Sequence, residues 1–152
     1  MESGIIAGNK IFDIVFVALF SAQALKVIIG LFTEKRLNFR RFLDTGNMPS
    51  SHTSSVVSLT VAIGIREGMQ SPLFALAVVF AVVVMYDATG VRRAAGKQAS
   101  VLNKIVKNIQ KKENYTIIEG NLKELLGHTP LEVFGGAFLG AVVAVLMSLS
   151  HF

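Results

Sequence analysis

The sequence contains no cysteine, and this absence excludes both a disulfide framework and thiolate chemistry. Charged residues are also scarce, at 16% of the 152 residues, whereas 52% of the residues are hydrophobic. A soluble domain of this length needs far fewer apolar side chains. The composition therefore indicates lipid as the solvent. Because no repeat, linker or low-complexity tract divides the chain, we expect one membrane-embedded domain over residues 1–152.

The formal charge of +5 invites comparison with nucleic-acid-binding proteins. The basic residues, however, lie in segments between long apolar runs, where they are typical of juxtamembrane charge facing anionic lipid. The sequence thus favours membrane lipid, and not nucleic acid, as the partner. The first apolar run begins near Ile11 without the short core and small-residue cleavage site of a secretory signal, so we expect it to remain in the mature protein.

Four apolar segments predict membrane spans, because a spanning helix needs about 20 mostly apolar residues. They extend approximately over Ile11 to Phe32, Ser50 to Ile65, Pro72 to Tyr86 and Leu131 to Leu149. The predicted fold is therefore an all-α membrane bundle with about four transmembrane helices.

The segment from about Gln98 to Lys112 predicts a further, amphipathic helix. Its apolar residues recur at helical spacing and are Val101, Leu102, Ile105, Val106 and Ile109. The lysines on the other side of the helix are Lys104, Lys107 and Lys111. A helix lying on the inner leaflet satisfies this pattern.

The distribution of basic residues predicts the orientation, since lysine and arginine in short loops are retained on the cytoplasmic side. The first and third loops are strongly basic, through Lys35, Arg36, Arg40 and Arg41, and through Arg92, Arg93, Lys97, Lys104, Lys107, Lys111, Lys112 and Lys123. Both loops should be cytoplasmic in the cell membrane, with both termini outside.

Ionisable residues gather at one end of the predicted spans. Lys26 lies in the inner part of the first span, and His52 opens the second. Asp87 closes the third span, and His128 and Glu132 open the fourth. All five fall on the predicted cytoplasmic side, where charged groups at membrane depth usually mark a site.

Several of these residues also have a purely structural interpretation. Lys26 can extend its amine to the interface, and Arg92 and Arg93 can anchor the cytoplasmic end of the third span. Asp87 can form a structural ion pair with an arginine. Thr129-Pro130-Leu131-Glu132 fits a capping box, which alone would account for the glutamate. Both interpretations stay open from the residues alone.

The stretch Pro49-Ser50-Ser51-His52-Thr53 begins the second span. Proline suits a first helical turn, and the hydroxyls can cap it. A helix N-terminus with free amides and hydroxyls also binds phosphate well. In the last span, Gly136 and Gly140 form a small-xxx-small pair that predicts a helix-packing seam, within the chain or between copies of it in a homo-oligomer.

Two motifs resemble the second and third signatures of the type 2 phosphatidic acid phosphatase superfamily, which includes vanadium-dependent haloperoxidases. They are Met48-Pro49-Ser50-Ser51-His52 and Gly127-His128-Thr129-Pro130-Leu131-Glu132. The whole chain is similar to the small divergent branch of that superfamily, found in bacterial and plant membranes. Further supporting blocks are Ala22 to Lys26, Met85 to Arg93, Gly96 to Asn103, and Lys123 to His128.

The resemblance implies hydrolysis of a phospholipid or isoprenoid phosphate monoester or pyrophosphate at the cytoplasmic face, with no metal or other cofactor. His128 would be the nucleophile that forms a phosphohistidine, and Glu132, in place of the usual aspartate, would orient it. His52 would protonate the leaving oxygen. Ser50 and Ser51 would bind phosphate oxygens.

The resemblance leaves the cations of the site to be assigned. The lysine of the superfamily's first motif has no counterpart here, and Leu122 stands where the third motif has an arginine. The candidates that would neutralise the phosphate are Lys26, Arg92, Arg93 and Lys123, with Asp87 in support. Arginine suits this task because its planar fork matches phosphate oxygens.

Two other classes of function fit the residues. A non-catalytic lipid-phosphate-binding or assembly protein with a degenerate site would retain the cations but tolerate loss of either histidine. A metal protein is the second alternative, because His52, Asp87, His128 and Glu132 are competent ligands for zinc. No short ligand motif such as His-x-x-x-His supports that alternative.

Overall fold

The computed structural model of the chain describes residues 4–34, 48–113, 122 and 127–151. These residues form five helices: α1 (Lys10–Glu34), α2 (Ser51–Glu67), α3 (Pro72–Thr89), α4 (Val91–Glu113) and α5 (Pro130–His151). The predicted all-α membrane bundle is confirmed. The basic residues Lys35, Arg36, Arg40, Arg41 and Lys123 lie outside the described residues.

Three helical stretches of the described chain are long and apolar enough to cross a membrane. They are Lys10–Phe32, Pro72–Lys111 and Pro130–Ser150. The second combines α3 with α4, which follow one another around Gly90. The second predicted span is α2, which has 17 residues and is not among these three stretches.

Helix α2 lies at the centre of the bundle and contacts α1, α3 and α5. The hydroxyl groups of Ser54, Ser55, Ser58 and Thr60 donate hydrogen bonds to backbone carbonyl oxygens. Ser54 Oγ donates to Ala18 O of α1 at 3.2 Å, and Thr60 Oγ1 donates to Val56 O at 2.8 Å and to Ala77 O of α3 at 3.2 Å. Such bonds hold helices together where apolar burial gives no driving force. A helix rich in serine can therefore be central, with more apolar helices around it.

Helix α5 packs on α2 through glycine. A Cβ atom at Gly136 would overlap the carbonyl oxygen of Ser50, and one at Gly140 would overlap that of Ser54. The two backbones therefore touch directly, as is usual for small-xxx-small seams. The predicted seam joins two helices of the same chain, and association between copies stays a prediction.

The bundle carries small and polar residues inside and large apolar residues outside. On α1 the buried residues recur at every fourth position: Ile14, Ala18, Ala22, Lys26 and Gly30. Phe20 of α1, Leu76 of α3, and Phe134 and Phe138 of α5 are more than half exposed. In water this arrangement would be unfavourable, whereas in lipid the exposed apolar faces are the stable ones.

Helix α4 is amphipathic, as the sequence predicts, although it begins at Val91 and not near Gln98. Its buried face consists of Gly96, Ala99 and Asn103. A second face is apolar but exposed, through Val101, Leu102, Ile105 and Ile109, and the neighbouring lysines Lys104, Lys107 and Lys111 are exposed as well. We expect the exposed apolar face to lie in the membrane interface.

Replacing Gly140 with alanine should destabilise the protein, because the added methyl group would overlap the backbone of Ser54. Overpacking of this kind costs about 1–3 kcal/mol. Gly135→Ala is the matched control, since its methyl group would meet only the flexible end of Met48. Thermal unfolding in detergent should give a lower midpoint for G140A than for G135A, and equal midpoints would contradict the described packing.

The interfacial position of α4 can be tested by spin labelling, because a chain without cysteine allows single labels with no background. A label at Ile105→Cys should be relaxed more by oxygen than by a water-soluble nickel complex, since that face should contact lipid. A label at Lys107→Cys, an exposed position about 160° around the same helix, should show the opposite preference. Identical accessibility at both positions would refute the interfacial placement.

Candidate functional site

The beginning of α2, the end of α3, the start of α4 and the turn before α5 surround a cavity of about 270 Å³. The described residues that line it are His52, Val83, Val84, Asp87, Ala88, Arg92, Gly127 and His128. Five of them are polar or glycine, and Val83, Val84 and Ala88 are apolar. The ends of four helical segments thus bring together residues that are distant in sequence.

His128 lies in the turn before α5 and is only 3% exposed. Its backbone N–H donates to Ala88 O at the end of α3, at 2.8 Å. Gly127 has a φ of +84°, and a Cβ atom there would overlap the backbone of Arg92 and Arg93. Only glycine meets both conditions without strain. The turn that presents His128 is therefore held against the junction of α3 and α4.

Glu132 holds the ring of His128. Its Oε2 atom lies 2.9 Å from His128 Nδ1 and also accepts a hydrogen bond from the backbone N–H of Thr129 at 3.2 Å. Thr129 Oγ1 in turn accepts from the N–H of Glu132 at 3.3 Å, which completes a capping box. The capping and orienting interpretations of Glu132 therefore describe one arrangement.

His128 belongs to the lining of the cavity, and its other ring nitrogen is Nε2. Nε2 is buried and, among the described residues, has no hydrogen-bond partner. A tautomer in which Nδ1 donates its proton to the carboxylate would leave the lone pair on Nε2. The contact with Glu132 fixes the orientation of the ring within the lining of the cavity.

His52 belongs to the first turn of α2, and its ring lines the same cavity while remaining exposed. The residues within electrostatic reach of the ring are Arg92, His128, Lys26 and Asp87. Three of these four can carry positive charge. The second histidine is therefore accessible, and its surroundings favour an anion.

The four cations predicted for the site occupy different positions relative to the cavity. Arg92 lines the cavity, and its Nε atom is paired with Asp87 Oδ2. Lys26 of α1 is 1% exposed and so faces the bundle interior, as charged residues at membrane depth usually do. Arg93 is exposed and is not among the described cavity residues, and Lys123 lies outside the described part of the chain.

Ser50 and Ser51 are not among the described residues that line the cavity. Ser50 is the N-cap of α2, and its Oγ atom accepts from Thr53 N at 3.4 Å and from Thr53 Oγ1 at 3.0 Å. Its backbone N–H donates to Glu132 O at 3.0 Å. Both serines are buried, at 0% and 2% exposure. In this structure Ser50 joins the starts of α2 and α5.

Sequence reasoning missed the apolar part of the cavity, formed by Val83 and Val84, and the role of the Ala88 carbonyl in holding His128. Hydropathy indicates that these residues belong to a helix but does not indicate which face borders a cavity. Gly127 did carry a signal, as the glycine directly before a candidate histidine. In the described part of the chain, no group of three or more His, Asp or Glu side chains could hold a metal ion.

Comparisons with known proteins agree with the resemblance of the motifs. The family model described as "Divergent PAP2 family" matches residues 7–143. The uncharacterized membrane protein YuiD of Bacillus subtilis (strain 168) is 39% identical over 140 residues, which cover 86% of this chain and 89% of that protein. No solved structure matches the chain significantly. Since the family match spans nearly the whole bundle, from before α1 into α5, the chain belongs to the Divergent PAP2 family of membrane proteins.

Proposed function

We propose that the protein is a membrane phosphatase that hydrolyses a lipid phosphate through a phosphohistidine intermediate. The observation that carries the proposal is the position of His128, whose Nδ1 is bonded to Glu132 at 2.9 Å and whose side chain belongs to the lining of the cavity beside His52 and Arg92. Membership of the Divergent PAP2 family supports a relationship to phosphatases. The substrate is a phosphate monoester or pyrophosphate of a phospholipid or an isoprenoid.

The two histidines divide the chemistry between them. His128 Nε2 attacks phosphorus while the bond from phosphorus to the leaving oxygen breaks, and His52 gives that oxygen a proton. Water then attacks the phosphohistidine, His52 accepts a proton from it, and the phosphorus–nitrogen bond breaks. Inorganic phosphate is released and both rings return to their starting states. Glu132 stabilises the positive charge that His128 acquires during the attack.

The cations bind the phosphoryl group and stabilise its charge. The Nε atom of Arg92 is held by Asp87, so the guanidinium is oriented and its terminal nitrogens can meet phosphate oxygens. Lys26 adds positive charge from α1. Phosphoryl transfer depends mainly on positioning and charge stabilisation, and a dry cavity strengthens both. Ser50 and Ser51 contribute indirectly, by fixing the first turn of α2 that carries His52.

The lining of the cavity favours a lipid as the substrate. Val83 lies one helical turn before Asp87 on α3, further from the polar end of that helix. A phosphate bound beside Arg92 would therefore leave its acyl or prenyl chain next to the valines. Basic residues in the loops at this end of the bundle favour the cytoplasmic face, with both chain termini outside.

A non-catalytic lipid-phosphate-binding protein is the second candidate. The burial of Ser50 and Ser51, away from the described cavity lining, favours it, because these hydroxyls would otherwise bind phosphate oxygens. Such a protein would use the same cations but would not need His52 or His128 as reacting groups. The two candidates therefore differ in what happens when a histidine is removed.

Phosphate release from a panel of lipid phosphates, with excess chelator, should be abolished in His128→Ala. It should fall by about 10²–10⁴-fold in His52→Ala, the range typical for loss of a general acid. His151→Ala is the matched control, because that histidine ends α5 at the opposite end of the bundle, and it should retain full activity. The wild-type protein should also form an acid-labile phosphoprotein that His128→Ala lacks.

Release that persists unchanged in both alanine variants would refute the two-histidine mechanism. Binding of the lipid phosphates by folded wild-type protein, without any turnover across the panel, would establish the non-catalytic candidate. Loss of activity in chelator alone would point to a metal-dependent reaction instead.

Val83→Phe should discriminate between substrates with and without acyl chains. The larger ring would fill the apolar part of the cavity, so kcat/KM for dioleoyl phosphatidate should fall by about tenfold or more. Glycerol 3-phosphate, which lacks the chains, should be affected much less. Val82→Phe is the matched control, since Val82 is a similarly exposed valine of α3 that is not among the described cavity residues. Equal losses for both substrates would show that Val83 does not contact the chain.

A further inference from the structure

Asn103 makes a reciprocal pair of hydrogen bonds with the backbone of one residue. Its Nδ2 donates to Leu122 O at 2.9 Å, and its Oδ1 accepts from Leu122 N at 2.9 Å. Asn103 is 5% exposed, on the buried face of α4, and it is not among the described residues that line the cavity. Both backbone polar groups of Leu122 are thus satisfied by a single side chain, as they would be by a neighbouring strand.

Between α4 and α5 the structure describes Leu122 and the residues from Gly127 onward, and three attachments join Leu122, Gly127 and His128 to α3 and α4. Leu122 is held by Asn103, and Gly127 lies against the backbone of Arg93. The N–H of His128 is bonded to Ala88 O. Of the three attachments, only the one at Asn103 is made by a side chain, so it is the one that a substitution can remove.

We propose that Asn103 is a positioning residue for His128, an inference that rests on the function proposed above. By fixing Leu122 against α4, Asn103 restrains the chain six residues before His128 and so the place of the His128 ring in the cavity. In-line attack requires the nucleophilic nitrogen to be held close to its productive position, and small displacements lower the rate steeply. Asn103 therefore acts on catalysis without touching substrate.

Asn103→Asp tests this role because it keeps the size and the Oδ1 acceptor while removing the donor. The second carboxylate oxygen would face the carbonyl oxygen of Leu122. The two acceptors would repel each other, and the reciprocal pair of hydrogen bonds would be lost. Asn108→Asp is the matched control, with the same change at an exposed position of the same helix. In N103D, kcat should fall by about 10- to 100-fold while KM stays within about twofold. In N108D both constants should be unchanged.

A second measurement does not depend on turnover. Diethylpyrocarbonate modifies unprotonated histidine rings, and its reaction at His128 and at His52 can be followed separately by mass spectrometry. His52 lies on α2 and serves as the internal reference. The ratio of the His128 rate to the His52 rate should rise several-fold in N103D, because the loosened turn exposes a ring that is 3% exposed in the intact structure. In N108D the ratio should equal that of the wild-type protein.

The outcomes separate this inference from the proposed function. A raised labelling ratio in N103D, in a protein that shows no turnover in any variant, would support the positioning role and reject the phosphatase. A catalytically active protein in which N103D leaves kcat and the labelling ratio unchanged would reject the positioning role and keep the phosphatase. Equal effects of N103D and N108D would also overturn the inference. So would an N103D variant in which KM rises while kcat stays at the wild-type value.

Discussion

Direct contact between the backbones of α2 and α5 determines where the site residues meet. Gly136 and Gly140 allow the approach, and a larger residue at either position would force the two helices apart. Since both helices begin at the same end of the bundle, their first turns lie side by side, joined by the hydrogen bond from Ser50 N to Glu132 O. His52 and His128 reach one cavity for this reason.

The polar interior follows from the same constraint. Lipid provides no apolar driving force between helices, so close packing of small residues and hydroxyl-to-backbone bonds must hold the bundle together. Those are the residues that α2 presents to its neighbours, through Ser54 and Thr60. An interior built in this way also tolerates Lys26, whose charge lies within electrostatic reach of His52 at the site end of the bundle.

The sequence predicts the helices well because long apolar runs bounded by proline, glycine and serine allow few alternatives. It predicts the site less completely. A spacing of four residues, as from His128 to Glu132, implies contact only when both residues lie in one helix. His128 precedes α5, so the observed bond depends on how the turn before the helix folds back. Sequence also cannot reveal whether Ser50 caps a helix or faces a cavity, because the same hydroxyl suits both tasks. The predicted start of α4, near Gln98, lies seven residues after the observed start at Val91, because apolar periodicity is weak in the first turns, around Arg92 and Arg93.

Glu132 has one methylene group more than the aspartate that the superfamily usually places there. Both of its partners precede α5, so the carboxylate has to reach backward past the first turn, which is the task that glutamate performs in a capping box. One oxygen atom therefore serves the start of the helix and the ring of His128 together. The folding of that turn and the orientation of the histidine ring are consequently coupled, and the ring keeps its orientation only while the first turn of α5 remains wound.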